Sequence, residues 1–238
     1  MTGSTPDSLA RGPFRTALAC GIVGLIANVL LVGFFALDYS AARETPWGWL
    51  GFANDLVGTV EFALFIPVIA AVARLLPAGH AMKAITGLAL VATAGLVVVS
   101  LALVVGAMTF EVQVRYVMGF LVVLYGWLLA VSSVGHRANA LPRPVTRFGL
   151  LLGVSWPAAL LLTLAGLLIG GVDLSAQQFG MPGVLLVIPA VILGFINWLA
   201  LPVWPLLVAA TVFRARPPVA AVKPATVSEN VSKKGDFR

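Results

Sequence analysis

Cysteine occurs once in this chain, at Cys20, and histidine twice, at His80 and His136. A single cysteine forms no intrachain disulfide and no CxxC metal or redox pair; inside an apolar run it reads as a small packing residue. Both histidines fall in the short hydrophilic stretches between apolar runs. A haem held across a helix bundle needs histidines inside the spans, and there is no H-E-x-x-H for an intramembrane zinc protease. No lysine interrupts any of the long apolar runs, which removes a retinal-type Schiff base. Gly153-Val-Ser-Trp156 lacks the surroundings of a serine nucleophile, and no Walker A or dinucleotide-binding glycine pattern is present. No cofactor is expected, and enzymatic chemistry is reduced to a lipid-acting enzyme working at the loops.

Charge is scarce as well. Only 10% of the 238 residues are charged and 60% are hydrophobic, against about 25% charged in a soluble domain; the mean hydropathy is +1.03. A chain this apolar cannot cover a water-facing surface, so the bilayer is its main partner. The formal charge of +6 is no sign of nucleic-acid binding, because the basic residues are confined to short loops and the C-terminal tail, as membrane topology requires.

What the chain has in abundance is long apolar runs. A helix needs about 20 apolar residues to cross the hydrocarbon, and six segments qualify: residues 14–37, 53–76, 84–107, 114–134, 148–170 and 183–213. Transmembrane β-strands alternate over about ten residues, and these runs are continuous and longer. The expected fold is all-α, a six-helix polytopic bundle, flanked by an N-terminal tail at 1–13 and a disordered basic tail at 214–238 with little to bury. The first run exceeds a signal-peptide core and has no A-x-A site closing it, so it is read as a retained helix.

Thirteen of the fifteen Lys and Arg residues lie in the N-terminus, the second and fourth loops and the C-terminal tail; only Arg43 and Arg115 lie in the first, third and fifth loops. The positive-inside rule puts both termini in the cytoplasm. Tyr39, Trp47 and Trp49 suit the aromatic belt at the outer interface. The short connections make consecutive helices antiparallel neighbours.

Helices in lipid pack through small residues and interhelical polar contacts. Each span offers such a stripe: Ala17, Gly21, Gly24, Asn28; Asn54, Gly58, Glu61, Phe65; Thr86, Thr93, Ser100; Arg115, Gly119, Gly126, Ser133; Gly149, Gly153, Trp156, Thr163; and Ala190, Gly194, Asn197, Trp204. Glu61 falls about 12 Å and Asn28 about 13 Å from the outer ends of their helices at 1.5 Å per residue. The two are level, and Arg115 starts its span level with Asp55. The expectation is a polar cluster in the outer half of the bundle formed by Glu61, Asn28, Asn54, Asp55, Arg115 and Asn197. Asp55 is expected to be interfacial. Glu61 either bonds Asn28 or Arg115 to hold helices together, or serves a proton, cation or substrate, since intramembrane ionisable groups mark functional sites. The last span contains Pro189, Pro202 and Pro205, and Ile196–Pro205 reads as a kink in one tilted helix, the alternative being a broken helix whose carbonyls line a site.

Two segments, WLGFANDLVGTVEFALFIPVIAAVARLLP and YGWLLAVSSVGHRANALPRPVTRFGLLLGVSW, resemble uncharacterised bacterial six-span integral membrane proteins of the domain-of-unknown-function type. The resemblance implies a bacterial plasma-membrane protein and carries no activity. The sequence reading ranks a structural or accessory membrane component first, binding another membrane protein or a second copy of itself. A small proton-, cation- or solute-transporting protein using Glu61 comes second. A water-accessible cavity reaching Glu61 discriminates for the transporter; a dry bundle with Glu61 bonded to Asn28 or Arg115 discriminates for the accessory component.

Overall fold

The computed structural model describes residues 6–37, 48–77, 79–169 and 181–213. Among them the chain is helical throughout, with no strand. Backbone polar groups in hydrocarbon must be satisfied within their own segment, which leaves continuous helix as the form for these runs. The helices are α1 (Pro6–Leu37), α2 (Trp49–Ala73), α3 (His80–Val104), α4 (Phe110–Arg137), α5 (Arg143–Ile169), α6 (Met181–Ala200) and α7 (Val203–Val208), followed by a π-helical turn at Ala209–Phe213. Six spans are long and apolar enough to cross a membrane, the last of them running through α6, α7 and the π turn. The tail from Arg214, with Tyr39 and Trp47, lies outside the described residues.

The connections are built from local chemistry. After α3, Gly106 takes φ 73°; Ala107 N–H reaches the Ala102 carbonyl at 2.8 Å and Gly106 N–H reaches Leu103 at 3.0 Å, the paired bonds of a Schellman stop. α4 ends the same way with Asn139 at φ 50°, Ala140 bonding back to Gly135 at 2.9 Å. Leu141 then folds over Gly135, where a Cβ would come within 2.7 Å of its side chain. Glu111 in the first turn of α4 and His136 and Arg137 in its last turn complement the helix dipole.

Consecutive helices pack side by side in antiparallel fashion, and α7 with the π turn closes the ring against α1. One face of the bundle carries Arg74, Lys83, Arg137, Arg143 and Arg147 at the helix ends and is called the basic face. Toward that face the interior is solid: Phe65, Ile69, Trp127, Leu128, Trp204 and Val208 are fully buried. Trp204 meets Phe65 at 6.0 Å and Trp127 edge-on at 5.7 Å, and Trp127 donates to Thr86 at 3.2 Å. In the opposite half α6 makes its main backbone approach to α5 alone, so the ring parts there.

The last span departs from the single kinked helix expected of it. α6 stops at Ala200 and α7 restarts at Val203, with a turn at Leu201–Pro202. Pro202 and Pro205 carry no N–H, so the Trp198 and Leu201 carbonyls lose their ordinary partners. They accept instead from Leu201 N–H and Trp204 N–H, both at 3.1 Å. Two more carbonyls at the end of α6 are met from neighbouring helices: Asn28 donates to Leu199 O at 2.8 Å and the Tyr125 hydroxyl to Asn197 O at 3.2 Å. These four carbonyls thus accept from backbone N–H groups at the break or from side chains of neighbouring helices.

Five of the six small-residue stripes face inward. The stripe on α4 does not: Gly119, Gly126 and Arg115 are exposed, while Gln113, Val117, Leu121, Leu124 and Leu128 are buried. Residue 115 stands about 200° around the helix from residue 113, so the two cannot share a face. α4 packs through large side chains.

Candidate functional site

In the half of the bundle away from the basic face, all six spans wall a half-open cavity of about 550 Å³. This lies within the roughly 300–1,000 Å³ range of small-molecule sites. Phe110 and Val191 on its lining are mostly exposed, whereas Trp156 and Glu61 at its depth are buried, Glu61 to 6% exposure.

Glu61 lines the cavity, and its carboxyl packs against α1 at Gly24, where there is no side chain. A Cβ on Gly24 would overlap the Glu61 carboxyl and come within 2.6 Å of the Pro202 ring. The Glu61 backbone is held by Cys20, whose Sγ lies 3.6 Å from its carbonyl oxygen. The carboxylate itself receives no hydrogen bond and no ion pair among the described residues. Asp55 and Asn54 line the same cavity nearer the start of α2, six residues or about 9 Å of rise from Glu61; Asn54 Nδ2 stands 3.4 Å from Asp55 Oδ1. Asp55 is half-buried.

Three expected members of the polar cluster have other employment. Asn28 is buried but spends its amide on Leu199 O. Asn197 is buried and donates to Leu152 O at 3.2 Å, tying α6 to α5. Arg115 corrects the expectation outright: it points away from the bundle, with its side chain 74% exposed, and pairs with Glu111 one turn earlier on its own helix. Neither Asn28 nor Arg115 bonds Glu61.

Sequence reasoning missed one contributor, Gln113, and gave another, Trp156, an inward face but no part in the site. Gln113, 8% exposed, lines the cavity from α4; its four-residue spacing from Val117 and Leu121 was the signal available for it. Trp156 stacks on Tyr125 with centroids 4.9 Å apart and leaves its indole N–H buried without a partner.

No protein-family model, no curated protein and no solved structure matches this chain. The site therefore speaks through its own chemistry. Among the described residues its ionisable lining groups are Asp55 and Glu61, both acidic, and no Lys, Arg or His lines it. Among the described residues no group of three His, Cys, Asp or Glu is placed to hold a metal ion. An ionised Glu61 has no counter-ion at its own depth. A bare charge in such surroundings is costly, so a proton or a bound cation must neutralise it. The arrangement can accept and release positive charge, and the apolar walls can hold a hydrophobic body beside it.

Proposed function

We propose that this chain is a small transporter of the plasma membrane that uses Glu61 to bind a proton or a cationic solute from the outer side. The observation that carries the reading is the half-open cavity lined by a buried carboxylate with no partner among the described residues. The orientation rests on the thirteen-to-two split of basic residues: with the basic face cytoplasmic, both termini are inside and the cavity opens outward. The likeness of residues 49–77 and 125–156 to bacterial six-span proteins supports a bacterial plasma membrane.

A bond from Glu61 to Asn28 or Arg115 in a dry bundle was the sign favouring the accessory role ranked first from sequence, and both residues are engaged elsewhere. A channel is poorly served by a cavity blocked on the basic side by Trp127, Trp204 and Phe65. A blind, one-sided site suits alternating access, in which helices move about a fixed site. The turn at Leu201–Pro202 supplies a joint between α6, packed on α5, and α7, packed on α1. No bound cofactor, nucleic acid or catalysed reaction enters this reading.

The test is flux across proteoliposomes containing the full chain under an imposed pH gradient or membrane potential. Wild type is expected to collapse the gradient faster than empty liposomes, and Glu61→Gln to behave like the empty control. Equal flux in wild type and Glu61→Gln would remove the carboxylate from the mechanism.

A further inference from the structure

We propose that the cavity is a binding site for an organic monocation with a bulky apolar body. This rests on the transport reading above and names its substrate class. Four observations converge on it. First, the volume of about 550 Å³ far exceeds what a proton or a metal ion needs and matches a drug-sized ligand. Second, the walls are apolar and aromatic: Phe35, Phe62, Phe195, Trp156 and Trp198 from four helices face the space. Phe62 and Trp198 meet edge-to-face at 6.2 Å, as do Phe35 and Phe195 at 6.0 Å. Aromatic walls solvate a diffuse cation through their π faces, the means by which quaternary ammonium groups are recognised. Third, among the described residues the charged groups available to a ligand are carboxylates at two depths, Asp55 and the buried Glu61, which has no partner there. Fourth, among the described residues no basic side chain lines the cavity, and Arg115 is turned away to Glu111.

The fourth point also excludes alternatives. A carboxylate- or phosphate-bearing ligand would enter with its anion unmatched, so phospholipid head groups are disfavoured even where they carry an amine. Calcium takes six to eight oxygen ligands, and the described residues offer no such cluster. A neutral hydrophobic ligand would fill the walls but leave Glu61 unpaired. A lipophilic cation answers the shape and the charge together.

Proton and cation would compete for the same carboxylate, so cation affinity should rise with pH. Among the described residues the other titratable groups facing Glu61 are Cys20 of α1, its thiol on the Glu61 carbonyl, Tyr125 of α4, its hydroxyl on Asn197 O, and Asp55 on the same helix; none of these is basic.

The experiment is equilibrium binding of tetraphenylphosphonium to the full chain in nanodiscs, with tetraphenylborate as the anion of the same shape. Proton flux in proteoliposomes is measured in parallel. Saturable phosphonium binding that strengthens with pH, excludes the borate and weakens more than about tenfold in Glu61→Gln is the expected result. A second variant guards against misfolding: Gly58 lines the cavity and has open space where a Cβ would go, so Gly58→Leu should abolish binding by filling the site while Glu61 stays intact. Equal binding of the borate, or phosphonium binding indifferent to both substitutions, overturns the proposal. Absence of phosphonium binding together with Glu61-dependent proton flux overturns the substrate class alone; absence of both overturns the transport reading with it.

Discussion

Gly24 and Glu61 are best understood together. The carboxyl of Glu61 occupies the place where any other residue at position 24 would put its Cβ. Gly24→Ala therefore has to displace either that carboxyl or the Pro202 ring. Overpacking of this kind costs about 1–3 kcal/mol, and we expect a lower unfolding midpoint in detergent together with loss of the Glu61-dependent flux. Gly58→Ala is the control, since its Cβ meets nothing within 4 Å; its midpoint should match wild type. At Arg115 the expectation is the opposite of what a buried cluster would demand. Its pair with Glu111 is exposed on both sides, and such pairs contribute about 0.5 kcal/mol or less. Arg115→Ala should leave both unfolding and flux within error of wild type. A large loss in either would place Arg115 in the machinery after all.

At the scale of elements, the decisive feature is the interrupted last span. Its prolines were legible as helix breakers, but the distant side chains that serve carbonyls beside the break were not. Asn28 and Tyr125 lie 171 and 72 residues from their partners in sequence, and nothing in either local pattern names the carbonyl it serves. Removing one donor leaves a buried carbonyl unsatisfied, at about 1–3 kcal/mol. Asn28→Ala and Tyr125→Phe should each lower the denaturation midpoint accordingly, the second while keeping the ring that stacks on Trp156. Because both hold the same short stretch, the double variant should lose less than the summed single losses, by about 0.5 kcal/mol or more. Additive losses would show that the two bonds act independently and that the break is not a single unit. The face of α4 was misread for a related reason. Small residues mark a packing face only when the neighbour approaches closely; α4 instead buries Leu121, Leu124, Tyr125 and Leu128, and its glycines turn outward.

For the whole molecule, the solid half and the open half make different predictions for reagents in water. Gly58→Cys, in a Cys20→Ser background, should react with a membrane-impermeant thiol reagent added from outside intact cells. Ile69→Cys, about three turns deeper and fully buried, should not. Labelling of position 58 only after the membrane is opened would reverse the proposed orientation, as would a C-terminal reporter active only on the outside.

The six apolar runs were sufficient to establish an all-helical, six-span protein, because hydrocarbon permits a single backbone solution for continuous runs of that length, and no long-range contact can change it. The basic residues supplied the proposed orientation in the same local way. Glu61 also stood out in sequence, since an acid in an apolar span is costly wherever it points. What the sequence left open was whether that cost is met inside the protein. Only the tertiary arrangement decided this, by assigning Asn28 to Leu199, turning Arg115 to Glu111 and parting α6 from the ring, so that the carboxylate faces a cavity rather than a partner. Pairing depends on which groups meet across helices, and that is set by packing between segments distant in the chain.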